Sequence, residues 1–101
     1  MIVVVAAIKV LPGRKDEFID IFKANLPAVH AEAGCIEYFP TTDTDSGVPV
    51  QVLDDNLVTI IEKWESMDHL KAHMTAPHML AYREKVKDIV EGTELRVLKP
   101  V

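Results

Sequence analysis

A chain of 101 residues offers one modest core and no room for a second, so residues 1–101 are expected to form a single domain. With 49% hydrophobic and 27% charged residues the composition is that of an ordinary globular protein, and a net charge of −5 argues against the basic stripe a nucleic-acid partner requires. Cys35 is the only cysteine, which excludes an internal disulfide and any zinc site built on several thiolates.

The opening run, "MIVVVAAIKVL", is apolar but too short to span a bilayer. It lacks the basic region and cleavage site of a signal peptide, and Lys9 interrupts it. It reads as a strand, and with the lone thiol it suggests a cytoplasmic protein with no membrane partner. Pro12-Gly13 stops the strand, and from Arg14 to about Ala33 the pattern becomes helical. Phe18, Ile21, Phe22, Asn25 and Val29 share one stripe of that helix. Pro27 is expected to kink it or split off its last turn, and Gly34 to close it.

Cys35–Phe39 is a short strand, followed by a long irregular excursion, Pro40 to Asn56, with an extended piece expected at Val50–Leu53. Leu57–Trp64 is the next strand. Ser66 is a good N-cap for a short helix, Met67 to about Met74. Pro77 suits the first position of another helix, expected to continue to about Val90 and to end at Gly92. Thr93–Leu98 makes the last strand. The order β-α-β-β-α-β specifies an α+β fold, the ferredoxin-like plait: four antiparallel strands with helices on one face. The first and third strands are apolar at both parities, so the face without helices would leave several hundred Å² of apolar surface in water. That surface predicts a homodimer packed sheet on sheet.

Three of the four histidines fall between His69 and His78. His69 and His73 stand four apart on a helix, the spacing of two metal ligands, with Glu65 or His78 available as a third. Leu70, however, occupies the position where a zinc protease carries its glutamate, and no second shell is evident, so no metal is expected. His69 reads as solvated near a helix start and His78 as a first-turn residue behind Pro77. His73 lies beside Leu70 at the edge of the apolar stripe and can turn inward. Asn25 occupies a position where an apolar residue would be cheaper, and a buried amide without partners costs about 1–3 kcal/mol. Arg83 falls near the stripe of Met79, Tyr82, Val86 and Val90, where it would snorkel or hold an anionic oxygen. Glu62 and Trp64 share one face of a strand. Together Asn25, Glu62, Trp64, His73 and Arg83 would converge on one helix-facing apolar cavity, the anatomy of a small-molecule site.

The stretches "IKVLPGRKDEFIDIF", "AEAGCIEYF", "VTIIEKWESMDHLKAHMTAPHM" and "LRVLKPV" resemble the antibiotic-biosynthesis-monooxygenase family, which includes small quinol monooxygenases. Glu62, Trp64, Leu70, His73, Pro77 and His78 carry the most specific part of the resemblance. It implies a dimeric α/β barrel and oxygenation of a quinol or polyphenol by O2 without metal, flavin or haem. By this resemblance His73 is the candidate base or proton relay. Asn25 and Arg83 orient and stabilise the oxyanion, Trp64 forms an aromatic wall, and Tyr38 and Tyr82 line the pocket. Arg83 stands where haem-degrading relatives carry a histidine ligand, which argues against haem. The Pro40–Asn56 excursion is longer than the usual family hairpin. A branch resembling the isomerase that processes phosphorylated autoinducer-2 shares the asparagine and the Pro-His helix start, so an isomerase of a small phosphorylated dicarbonyl stands as an alternative. A non-catalytic ligand-binding dimer is a third reading.

Overall fold

The computed structural model describes all residues, 1–101. In chain order the elements are β1 (Ile2–Val10), α1 (Lys15–His30), β2 (Cys35–Thr42), β3 (Leu57–Trp64), α2 (Met67–Met74), α3 (Pro77–Val86) and β4 (Val90–Leu98). The strands form one antiparallel sheet in the order β2-β3-β1-β4. This is the ferredoxin-like α+β architecture, and it follows from where the apolar side chains fall. In β1, Val4, Ala6, Ile8 and Val10 alternate onto the helix side, and their β3 partners Glu62, Ile60 and Val58 face the same way. Phe18, Phe22 and Val29 of α1, Leu70 of α2, and Met79, Tyr82 and Val86 of α3 close over them.

Several boundaries differ from the sequence expectation. β2 continues through Pro40 to Thr42, with Pro40 opposite Ile60. A proline is tolerated there because β2 is an edge strand and needs no second ladder. The excursion therefore runs from Asp43 to Asn56, and Val50–Leu53 forms no strand. Contacts of Gln51 with Ser46 and the Thr44 carbonyl, an Asp54 N–H to Asp43 Oδ2 bond of 2.9 Å, and the Lys9–Asp54 ion pair hold it together. α1 runs unbroken through Pro27 to His30. α3 ends at Val86, well short of Gly92, because β1 captures the chain that follows. The Leu11 N–H bonds the Ile89 carbonyl at 2.9 Å, and Gly92 sits inside β4 opposite Lys9.

Two turns fix the helical layer on the sheet. Gly34 has φ +80°, and a Cβ there would lie 2.3 Å from Cγ of His69. Only glycine allows the chain leaving α1 to pass so close to α2. At the start of α2 the Ser66 hydroxyl accepts the His69 N–H, the cap its sequence predicts. Leu95 and Val97 face the helix side of β4 yet remain 46% and 43% exposed, since the helices stop short of that edge. On the reverse face Val3, Val5, Ile61, Phe39 and Leu98 occupy neighbouring register positions with no layer over them.

Candidate functional site

A cavity of about 330 Å³ lies between the sheet and the helices. Ala6, Ile8 and Ile60 form its floor, Phe22, Met79 and Val86 its helical walls, and Val90 and Thr93 its margin at β4. Tyr38, Glu62, His73, Tyr82 and Arg83 bring polar groups to this apolar surface. The sequence pattern nominated Glu62, His73 and Arg83, the family resemblance added Tyr38 and Tyr82, and the fold brings all five to one cavity. Lys87 joins Arg83 in the lining, an addition that the helical pattern did not suggest.

Two nominated residues stand elsewhere. Trp64 is fully buried and lines nothing: it backs the site, its indole N–H donating to Glu62 Oε1 at 2.9 Å. Its position at the end of β3, under α2, leaves it no free surface to offer as a wall. Asn25 faces a second cleft of about 190 Å³ between α1 and α3, beside His78, Lys85 and Tyr82. Its amide donates to Met79 Sδ at 3.4 Å. The stripe it shares with Phe18 and Phe22 is wide, and Asn25 lies on the flank that meets α3 rather than the sheet.

The histidines also resolve. His69 is half-buried rather than solvated, with Nδ1 at 2.7 Å from the Ser66 hydroxyl. It makes no pair with His73. His73 is 2% exposed, its ring centroid 4.6 Å from that of Trp64 and 5.2 Å from that of Tyr38. Its Nδ1 lies 2.7 Å from Oε2 of Glu32, and Nε2 of His78 lies 2.9 Å from the same oxygen. Glu32 was not apparent from the sequence. The helical pattern extends to about Ala33 and does not single it out; the helix ends at His30, and Glu32 lies in the short link to β2.

A carboxylate oxygen accepts and cannot donate, so the two ring nitrogens that face Glu32 carry the hydrogens. For neutral His73 this leaves the lone pair on Nε2, which is 4.0 Å from Oε1 of Glu62. Burial lowers the His73 pKa below the ordinary histidine value, with the Glu32 hydrogen bond and charge opposing. Burial raises the Glu62 carboxyl above the ordinary range, and the Trp64 N–H opposes that shift. Burial likewise pushes the Tyr38 and Tyr82 phenols up, so both remain O–H donors. The site thus holds a neutral imidazole with a free lone pair, two phenol donors, and the Glu62 carboxyl group beside them.

Donor atoms of Glu32, His73 and His78 all lie within 4.8 Å of one another, close enough to be considered for a cation. The two nitrogen-to-oxygen separations, 2.7 and 2.9 Å, are those of hydrogen bonds, whereas ligands of one tetrahedral cation stand about 3.3 Å apart. Protons suit this spacing better than a metal.

Comparison with known proteins agrees with the fold. The chain is 39% identical over 102 residues to a protein of Escherichia coli (strain K12) named "Probable quinol monooxygenase YgiN", covering 99% of this chain and 98% of that one. It is 30% identical over 100 residues to the uncharacterized protein sll1783 of Synechocystis, covering 97% of this chain and 62% of that one. Among solved structures, PA3566 from Pseudomonas aeruginosa superposes with a TM-score of 0.82 at 22% identity, covering 99% of this chain and 93% of that one. Rv0793 from Mycobacterium tuberculosis superposes with a TM-score of 0.81 at 23% identity, covering 99% and 94%. Residues 1–85 match the antibiotic biosynthesis monooxygenase family, and the chain belongs to that family.

Proposed function

We propose that this protein is a monooxygenase that oxidises a quinol or polyphenol with O2 and uses no cofactor. One observation carries the reading: the buried, neutral imidazole of His73, with its free nitrogen toward Glu62, on the wall of an apolar cavity of about 330 Å³. A volume at the small end of ligand sites suits an aromatic of one or two rings. The E. coli relative's name points to the same substrate class.

The chemistry needs little more. His73 Nε2 takes the proton of a substrate hydroxyl, and the electron-rich phenolate passes one electron to O2. Superoxide and the semiquinone combine at a ring carbon to give a peroxide. The imidazolium proton and the ring C–H proton leave with one peroxide oxygen as water, and the second oxygen stays on the ring. The balance is one dihydroxy-aromatic plus O2 to one hydroxyquinone plus water, and the substrate is its own reductant. Arg83 stabilises the developing oxyanion, while Glu62, Tyr38, Tyr82 and Phe22 hold the ring. Asn25 belongs to the second cleft and has no part in this step.

A second reading rests on a specific feature. Arg83 and Lys87 both line the cavity, a pair of cations that would suit the phosphate of a small phosphorylated dicarbonyl undergoing isomerisation. Oxygen uptake over a panel of hydroquinones, with mass analysis of the products, separates the two. Hydroxyquinone formed with one O2 consumed supports the oxygenase. No uptake above background across the panel, with isomerisation of a phosphorylated dione, replaces it. No turnover of either leaves a ligand-binding protein.

We place the protein in the cytoplasm as a homodimer. No helix is long and apolar enough to cross a membrane. The uncovered face around Val5, Ile61 and Phe39 suits a second copy, sheet on sheet, since water contact over such a patch is costly. Ile61→Lys should convert the dimer to monomer in light scattering, and an unchanged mass would reject this interface.

A further inference from the structure

We propose that Glu32 is the positioning residue of the site: it holds His73 as the Nδ1–H tautomer, keeps the Nε2 lone pair for substrate, and is itself held by His78. The proposal rests on the oxygenase reading for its kinetic consequences but not for its structural content.

Neutral imidazole carries one hydrogen, and which nitrogen carries it decides whether the ring can act as a base toward the cavity. A ring free of partners would populate both tautomers. Here Glu32 Oε2 receives His73 Nδ1–H at 2.7 Å, in a setting where the glutamate side chain is 13% exposed and that of His73 2%. His78 donates from Nε2 to the same oxygen at 2.9 Å and is 27% exposed, standing on the wall of the second cleft. With two N–H donors on one oxygen, the carboxylate is fixed in orientation. When His73 accepts the substrate proton at Nε2 it becomes an imidazolium, and the Glu32 charge lies against it. The proton then returns to the peroxide oxygen, so the dyad is unchanged after each turnover.

His73 is faced from every element packed around it: Glu32 from the link after α1, Tyr38 from β2, Glu62 from β3, and His78 and Arg83 from α3. Of these, Glu32 alone is bonded to the ring, and its bond and charge both act to raise the ring's affinity for a proton. Losing Glu32 therefore leaves burial less opposed. The acid limb of kcat/KM, which reports protonation of the base, should move to lower pH.

The test has two independent arms. Long-range ¹⁵N–¹H spectra of the wild-type protein report the His73 tautomer without turnover or mutation. The proposal expects hydrogen on Nδ1, and hydrogen on Nε2 overturns it whatever the substrate proves to be. For kinetics, Glu32→Gln is expected to lower kcat on a hydroquinone by at least about tenfold with KM within about threefold. Its acid limb should shift down, and Glu32→Asp should recover part of the rate. A Glu32→Gln enzyme with wild-type kcat and an unmoved limb overturns the proposal. If no hydroquinone is turned over by wild type, the oxygenase reading fails by itself, and the tautomer still decides the role of Glu32.

Discussion

Two polar side chains, His73 and Asn25, interrupt apolar helical stripes, and Tyr82 lines the cavities on which both border. Their surroundings differ in kind. His73 is almost wholly buried, yet Glu32 satisfies one ring nitrogen and the other is left toward a cavity that also holds Glu62 and Arg83. Asn25 is half-buried and its amide meets only a thioether, at 3.4 Å. Sulfur is a weak acceptor, so nothing in the second cleft holds that amide as the carboxylate holds the imidazole. An interrupted stripe therefore indicates a site only when neighbouring elements supply partners for the interruption.

The largest effect that tests this contrast is on turnover. His73→Ala should lower kcat on a hydroquinone by about 10²–10⁴-fold, the range for loss of a general base, with an unchanged circular dichroism spectrum. Oxygen-electrode rates that stay within a factor of about three would remove His73 from the chemistry and erase the distinction from Asn25. Next in size is the support of that corner. Gly34→Ala places a methyl group 2.3 Å from the His69 ring on a backbone of φ +80°. Left-handed backbone and overpacking together should cost about 2–4 kcal/mol, read as a Tm lowered by roughly 8–20 °C. A shift of less than about 3 °C would mean that α2 can move away from the α1–β2 link, and that the Glu32–His73 contact is not rigidly held.

The fold was legible in the sequence because β1 and β3 are largely apolar, β-branched runs and because Ser66, Pro77 and the Gly13 turn mark where elements begin. Glu62, His73 and Arg83 could be nominated because each sits at a definite phase of a strand or helix, whereas Tyr38 and Tyr82 came only from the family resemblance. What escaped were features set by contact between elements. Glu32 lies just past the end of α1, in a stretch whose sequence reads as helix, and its partners come from α2 and α3. Asn25 was assigned to the sheet-facing side of a stripe broad enough to reach α3 as well. The last helix was expected to continue to about Val90, whereas α3 ends at Val86 and pairing with β1 begins at Val90 and overrides the helical signal. Phase put Trp64 in the cavity and the family resemblance made it a wall, but phase gives the direction of a side chain and not the depth of what covers it.

A smaller effect isolates the electrostatics of the functional corner. Burial raises the Glu62 pKa, so the folded chain holds this proton more tightly than the unfolded chain does. Its stabilising contribution is full below the ordinary value of 4.5 and is lost as pH rises through the raised value. Glu62→Gln cannot ionise but keeps an oxygen for the Trp64 N–H. The variant should match wild type near pH 4 and exceed its Tm by about 2–5 °C near pH 8. His73 acts in the opposite sense: with its pKa lowered, it withdraws stability as pH falls below about 6.5. That common component cancels when the two proteins are compared at equal pH. A Tm difference independent of pH would show that Glu62 is not held toward its neutral form.

The smallest expected effect falls on the other side of the comparison. Asn25→Leu removes an amide whose side-chain partner is Met79 Sδ and places a larger apolar group against a cleft of about 190 Å³. With room to accept the added volume and no strong hydrogen bond lost, stability should stay level or rise by up to about 1 kcal/mol. Turnover should remain within about a factor of three of wild type, because Tyr82 and Met79 separate Asn25 from the His73 cavity. A rate loss of tenfold or more at unchanged stability would mean that the wall formed by Tyr82 opens during turnover. The two clefts would then form one site, and the amide that looked idle would be among its hydrogen-bond donors.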